Sequence, residues 1–129
     1  MSSLPRRANA RQVVLVVDDD PDARDAISAI LEDAGYDAFQ AANGHEALRQ
    51  LAALDRCDLI LLDLMMPVMN GWDFRRKQKA SPALAGIPVL LMSAGAHMPT
   101  VSGDLQAAGY LTKPVDVSDL LAVVEQHCP

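Results

Sequence analysis

Apolar positions along this chain fall into two alternating kinds of block. Val13 to Val17 is an unbroken, mostly β-branched apolar run, the pattern of a strand buried on both faces. Asp20-Pro21 then reads as a helix start, with the aspartate as N-cap and the proline at the first helical position. Ala23, Ala26, Ile27, Ile30, Leu31 and Ala34 follow at helical spacing as one stripe, and Gly35 ends it. Tyr36 to Ala41 predicts a weaker strand, Asn43-Gly44 a turn, and Ala47, Leu48, Leu51 and Leu54 a second amphipathic helix. Residues 57–64 (CDLILLDL) form another buried strand pattern, and 66–71 (MPVMNG) a loop rich in helix breakers. Trp72 to Lys79 predicts a third helix, polar and basic on one side. Residues 87–94 and 109–114 predict a fourth strand and a short fifth, and a last helix runs from Ser118 as cap to His127, with Leu120, Leu121 and Val124 inward.

Between the last two strands the pattern weakens. Pro99, Ser102 and Gly103 oppose a long helix, so a short or irregular fourth helix is expected at about Gly103 to Ala108. Strands that alternate with helices imply right-handed crossovers, an α/β fold and a parallel sheet covered on both faces. The pattern leaves one domain over residues 12–128 and a flexible N-terminal tail over 1–11.

Charge and cysteine usage narrow the classes. A net charge of −6 argues against a nucleic-acid-binding surface. Cys57 and Cys128 lack metal-ligand spacing and read as reduced thiols. No apolar stretch is long enough to span a membrane and the basic start has no apolar region behind it, so a cytoplasmic location with no membrane contact is expected.

The chemistry concentrates where strands end. Asp18, Asp19 and Asp20 close the first strand, Asp63 the third and Ser93 the fourth, while Lys113 follows the fifth. In a parallel sheet these ends share one edge, where sites form. Three acids in one place repel, and a divalent cation offsets that repulsion; oxygen donors suit Mg²⁺ or Mn²⁺. A carboxylate can attack phosphorus to form an acyl phosphate, with a cation, a lysine and a hydroxyl on the phosphoryl oxygens. Asp20 is better explained as an N-cap than as a ligand, Asp22 as a first-turn acid, and Asp58 as a solvent-facing strand residue. Met65, Met66 and Met69 read as gap-filling, and no histidine has ligand spacing.

Taken in order, VVDDDPD, LILLDLMMPVMNG, LLMSA and YLTKP resemble the receiver domain of two-component response regulators, over about residues 12 to 127. Asp63 lies 44 residues after Asp19 and 50 before Lys113. The resemblance implies a flavodoxin-like (βα)5 three-layer sandwich with strand order 2-1-3-4-5. It implies Asp63 as phosphoacceptor, and Asp18, Asp19, Asp63 and the Met65 carbonyl around Mg²⁺ or Mn²⁺. It makes Ser93 the switch hydroxyl, Lys113 the phosphate-pairing lysine, Pro114 a cis-proline and Tyr110 the aromatic that moves with the switch. A sensor histidine kinase or phosphotransfer protein is the implied partner. The domain then catalyses only its own phosphorylation and dephosphorylation, and as a whole protein it is a stand-alone receiver. Met65 and Gly95, each two residues past a site residue, offer no polar side chain to orient water, which predicts slow hydrolysis. Two other classes compete: a haloacid-dehalogenase-type phosphohydrolase using Asp18-x-Asp20, and an interaction module independent of phosphorylation.

Overall fold

The computed structural model describes residues 11–66, 68–94 and 98–128, and for Met98 and Pro99 the backbone only. Among the described residues, ten elements alternate strictly: β1 (Val13–Val17), α1 (Pro21–Asp33), β2 (Asp37–Ala41), α2 (Gly44–Ala53), β3 (Leu59–Asp63), α3 (Gly71–Ala80), β4 (Val89–Ser93), α4 (Met98–Asp104), β5 (Gly109–Thr112) and α5 (Val117–His127). The strands form one parallel sheet in the order β2-β1-β3-β4-β5.

Side-chain alternation along each buried strand divides the core in two. Leu15, Val17, Ile60, Leu62, Val89 and Leu91 point to one face and pack against Ala47 and Leu51 of α2 and Phe74 of α3. Val14, Val16, Leu59, Leu61, Leu90 and Met92 point to the other, where Ile27 and Leu31 of α1 and Leu120 and Val124 of α5 cover them. The continuous apolar runs of β1, β3 and β4 are thus needed because both faces are roofed. Trp72 and Val101 border the first core.

Register explains how the polar strand ends come together. Val17 pairs with Leu62, so Asp18 stands level with Asp63. Asp63 pairs with Met92, which places Ser93 one step beyond. Ser93 pairs with Thr112, and the Lys113 N–H donates to the Ser93 carbonyl at 2.9 Å. Each step moves one strand along the same edge. The Lys113-Pro114 peptide is cis, as the resemblance implies.

Several local expectations are corrected. The fourth helix is short, but it spans Met98–Asp104 and so starts before Gly103. Pro99 lies in its first turn, where a missing N–H costs nothing, and Gln106 leaves helical geometry at φ +54°. Asp116, not Ser118, caps α5 by accepting from the Asp119 N–H. Asn43 and Asn70 likewise cap α2 and α3, so Asn43-Gly44 opens a helix. On α1, Ala26 and Ala34 are exposed and Ser28 is buried in their place. Leu121 is only half-buried. Asp58 is also half-buried: its Oδ2 accepts the Val13 N–H at 2.8 Å at the start of β1 and pairs with Arg56. The basic side of α3 is not wholly solvent-facing, since Arg75 and Gln78 are buried.

The tail expected over 1–11 falls mostly outside the described residues. Arg11 itself pairs with Asp37 at 3.3 Å. Gly95 also lies outside them. Both cysteines are free, Cys57 half-buried and Cys128 buried. Among the described residues, no helix is long and apolar enough to cross a membrane.

Candidate functional site

Asp18 is the deepest acid of the site, with no exposed surface. Every oxygen it presents is engaged. Oδ1 accepts the Asp20 N–H at 3.0 Å, and Oδ2 accepts Lys113 Nζ at 2.9 Å. Its backbone carbonyl accepts Arg24 Nη1 of α1 at 2.8 Å. Asp63 is buried beside it: Oδ1 accepts the Met65 N–H at 3.1 Å, and Oδ2 lies 3.3 Å from Lys113 Nζ. A single ammonium therefore bridges two buried carboxylates from different strands.

Asp19 is exposed and completes a group of three acids with carboxylate oxygens within 4.8 Å of one another. Asp19, Asp63, Met65, Ser93, Ala94 and Lys113 line one open pocket at the C-terminal edge of the sheet. Asp20 stands apart, its carboxylate accepting the Asp22 N–H at 3.0 Å as the α1 N-cap. Tyr110 also stands apart from that pocket; it is partly exposed and lines a groove between β5 and α5 with Thr112 and Asp116. Thus Asp18, Asp19, Asp63, Ser93, Lys113 and Met65 converge, and Tyr110 does not.

Electrostatics follow from this packing. Burial pushes the Asp63 carboxyl up to about 6; the Met65 N–H opposes it, the Asp18 charge adds to it, and Lys113 opposes it. For Lys113, burial favours the neutral amine, but the bond it donates to Asp18 and the charges of Asp63 and Asp18 outweigh it and its pKa rises. An acid with a raised folded-state pKa holds its proton more tightly in the native state. Its contribution therefore favours folding at low pH and is lost as pH climbs from 3.8 to about 6. In EDTA, urea titrations should show stability falling over that window by on the order of 2–3 kcal/mol from this group. The Asp63→Asn protein should lack that fall; an identical pH profile in both would refute the assignment.

Two further residues support the site, Arg24 outside the four motifs and Gly71 at the end of one. Arg24 holds the Asp18 carbonyl and, through Nε, Gln40. Gly71 passes so close to the end of β3 that an added Cβ would sit 2.9 Å from Leu64 Cα and 3.2 Å from the Asp63 carbonyl. Its N–H donates to the Leu64 carbonyl at 3.1 Å. The only sequence signal for this is the Asn70-Gly71 pair. Gly71→Ala must shift the backbone that carries Asp63, so it should cost about 1–3 kcal/mol in urea unfolding. A stability equal to wild type would show that this contact relaxes freely.

The donor set suits a hard divalent cation: three carboxylates converge on an open pocket whose single ammonium leaves excess negative charge.

Comparisons with known proteins agree with the geometry. Residues 14–125 match the family described as response regulator receiver domain. The chain is 42% identical over 113 residues to the DNA-binding dual master transcriptional regulator RpaA of Synechocystis, covering 86% of this chain and 46% of that one. It is 36% identical over 121 residues to an uncharacterized 14.6 kDa protein of Leptolyngbya boryana, covering 92% of each. The chemotaxis protein CheY4 of Vibrio cholerae superposes with a TM-score of 0.84 at 32% identity, covering 92% of this chain and 99% of that one. Apart from the Leptolyngbya protein, the chain spans about half the length of the leading curated relatives it matches.

Proposed function

Because this chain belongs to the response regulator receiver domain family, we propose that Asp63 is its phosphoacceptor and that Asp18, Asp19, Asp63 and the Met65 carbonyl form its Mg²⁺ site. The observation that carries this is the Lys113 ammonium held between the Asp18 and Asp63 carboxylates on the edge where Ser93 also ends.

A carboxylate oxygen of Asp63 attacks the phosphorus of a phosphohistidine or of a small acyl phosphate. The new O–P bond forms as the P–N or P–O bond to the donor breaks, and the departing group keeps the electron pair. Lys113 pairs with the incoming phosphoryl oxygens and Ser93 donates to one of them. The bound cation supplies charge neutralisation on the transferring group. The receiver family is not enzymatic in the usual sense, and here the domain acts on itself alone.

The partners are a sensor histidine kinase or phosphotransfer protein upstream and a protein target downstream. Six of the curated relatives are named as DNA-binding and are about twice this chain's length. With a net charge of −6, this domain is assigned the phosphoryl-dependent switch and no nucleic-acid contact. Residues 12–128 form the receiver unit, and its place is the cytoplasm, where such kinases present their phosphohistidines. The phosphohydrolase reading loses its support because the Asp20 carboxylate is engaged as a helix cap.

Intact-protein mass after incubation with acetyl phosphate tests this. One phosphoryl group should add in Mg²⁺ and none in EDTA. Repeated release of phosphate from a monoester, with no adduct, would overturn it.

A further inference from the structure

The most buried guanidinium of the domain has no part in the phosphoryl site. Arg75 on α3 is 6% exposed, and all three of its bonds go to neutral oxygens. Nε donates to the Leu105 carbonyl at 3.0 Å, Nη2 to the Gln106 carbonyl at 2.7 Å, and Nη1 to Gln78 Oε1 at 2.6 Å. Gln78 is wholly buried, and its Nε2 donates onward to the carbonyls of Leu84 and Ile87 at 2.9 and 3.0 Å. Two side chains thus bind α3 to the α3–β4 connection on one side and to the α4–β5 connection on the other.

The carbonyls that Arg75 takes lie just past the C-terminal end of α4. Such groups lack helical partners, and the end of a helix favours a cation. Gln106 is also the described non-glycine residue with positive φ. The same four-residue stretch has ordered amides: Leu105, Gln106, Ala107 and Ala108 donate to Val101, Gly103, Ser102 and Val89. Immediately afterwards β5 begins, carrying Tyr110 and leading to Lys113. On the other side, α3 follows Asp63 directly across the loop that Gly71 presses against β3.

We propose that Arg75 is a positioning residue of the switch: it latches α3, the helix after Asp63, to the α4–β5 connection, so that a change at Asp63 reaches β5 by a second route beside the direct Asp63–Lys113 contact. This rests on Asp63 being the phosphoacceptor. The guanidinium is the buried member of the latch, so withdrawal from the two part-buried carbonyls leaves an enclosed charge without its partners. Coupling of this kind needs an element with two arrangements that both sites bias.

Hydrogen exchange on wild type and Arg75→Met decides it, with intact mass recorded on each sample. In the unphosphorylated variant, amides 105–108 should exchange about tenfold faster while those of β1 and β3 keep their wild-type rates. Phosphorylation should alter exchange at 105–108 in wild type and leave it unaltered in the variant, with equal phosphoryl uptake. Wild-type rates at 105–108 in Arg75→Met overturn the proposal, as does uniform acceleration that includes β1. A wild type whose 105–108 amides ignore phosphorylation, or a variant that responds like wild type, also overturns it. If neither protein gains a phosphoryl group, the phosphoacceptor reading fails, and the unphosphorylated comparison still decides whether the latch holds the connection. Should Arg75→Met not fold, Arg75→Lys, which keeps the charge but cannot reach both carbonyls at once, is read in the same way.

Discussion

Asp63→Asn should take up no phosphoryl group from acetyl phosphate at any Mg²⁺ concentration and should remain folded. The side chains have the same shape, so the packing of the β3 end is kept. An amide oxygen carries no full charge and forms no stable acyl phosphate, so the chemistry is lost outright. The fold should not suffer, because the carboxylate is buried beside Asp18 and its pKa is already pushed up to about 6 by that burial. At neutral pH its ionised form is costly in the absence of a cation, and the amide is not. In EDTA at pH 7 the urea midpoint of the variant should equal or exceed that of wild type. This separates loss of chemistry from loss of structure. A mass gain in Asp63→Asn equal to wild type would place the phosphoryl group elsewhere, with Asp19 as the next acid in the pocket.

Phe74→Ala should remove about 3–5 kcal/mol of stability, the usual cost of emptying a fully enclosed phenyl site. Phe74 is wholly buried and belongs to the cluster that contains Leu64, Met66 and Met69. Those three residues belong to the loop that follows Asp63, so the cavity would open under the floor of the site. For a domain held by about 5–15 kcal/mol, this is a large fraction, and the urea midpoint should fall accordingly. A loss under about 1 kcal/mol would mean that Met66 and Met69 swing into the space, as flexible thioether chains can.

These effects trace to features of unequal legibility. The strand ends were readable because apolar runs such as Val13 to Val17 stop at charged residues, and a parallel sheet aligns such stops. Pro21 after Asp20 marked a helix start by local chemistry alone. Arg75 and Gln78 were not readable: their partners, Leu105, Gln106, Leu84 and Ile87, lie 6 to 31 residues away, and a polar helix stripe alone reads as solvent-facing. The α4 boundary is not legible because Pro99 opposes a helix interior in sequence, whereas in a first turn it is well tolerated. The Asp116 cap is not legible in sequence because Ser118 also has the right chemistry and only the backbone decides between them. In sequence Gly71 only closes a loop pattern, and its close approach to Leu64 follows from the fold alone.

The partition of the core has a different kind of consequence. Because side chains from alternate positions of each strand serve opposite layers, the cluster under α2 and α3 and the cluster under α1 and α5 have no residue in common. The sheet behaves as a partition wall between two separately furnished rooms. A substitution in one layer therefore changes none of the side chains that line the other. One side of such a domain can therefore acquire a new binding preference while the other keeps the old one, which lets a single signalling site be inherited by lineages that listen and speak to different proteins.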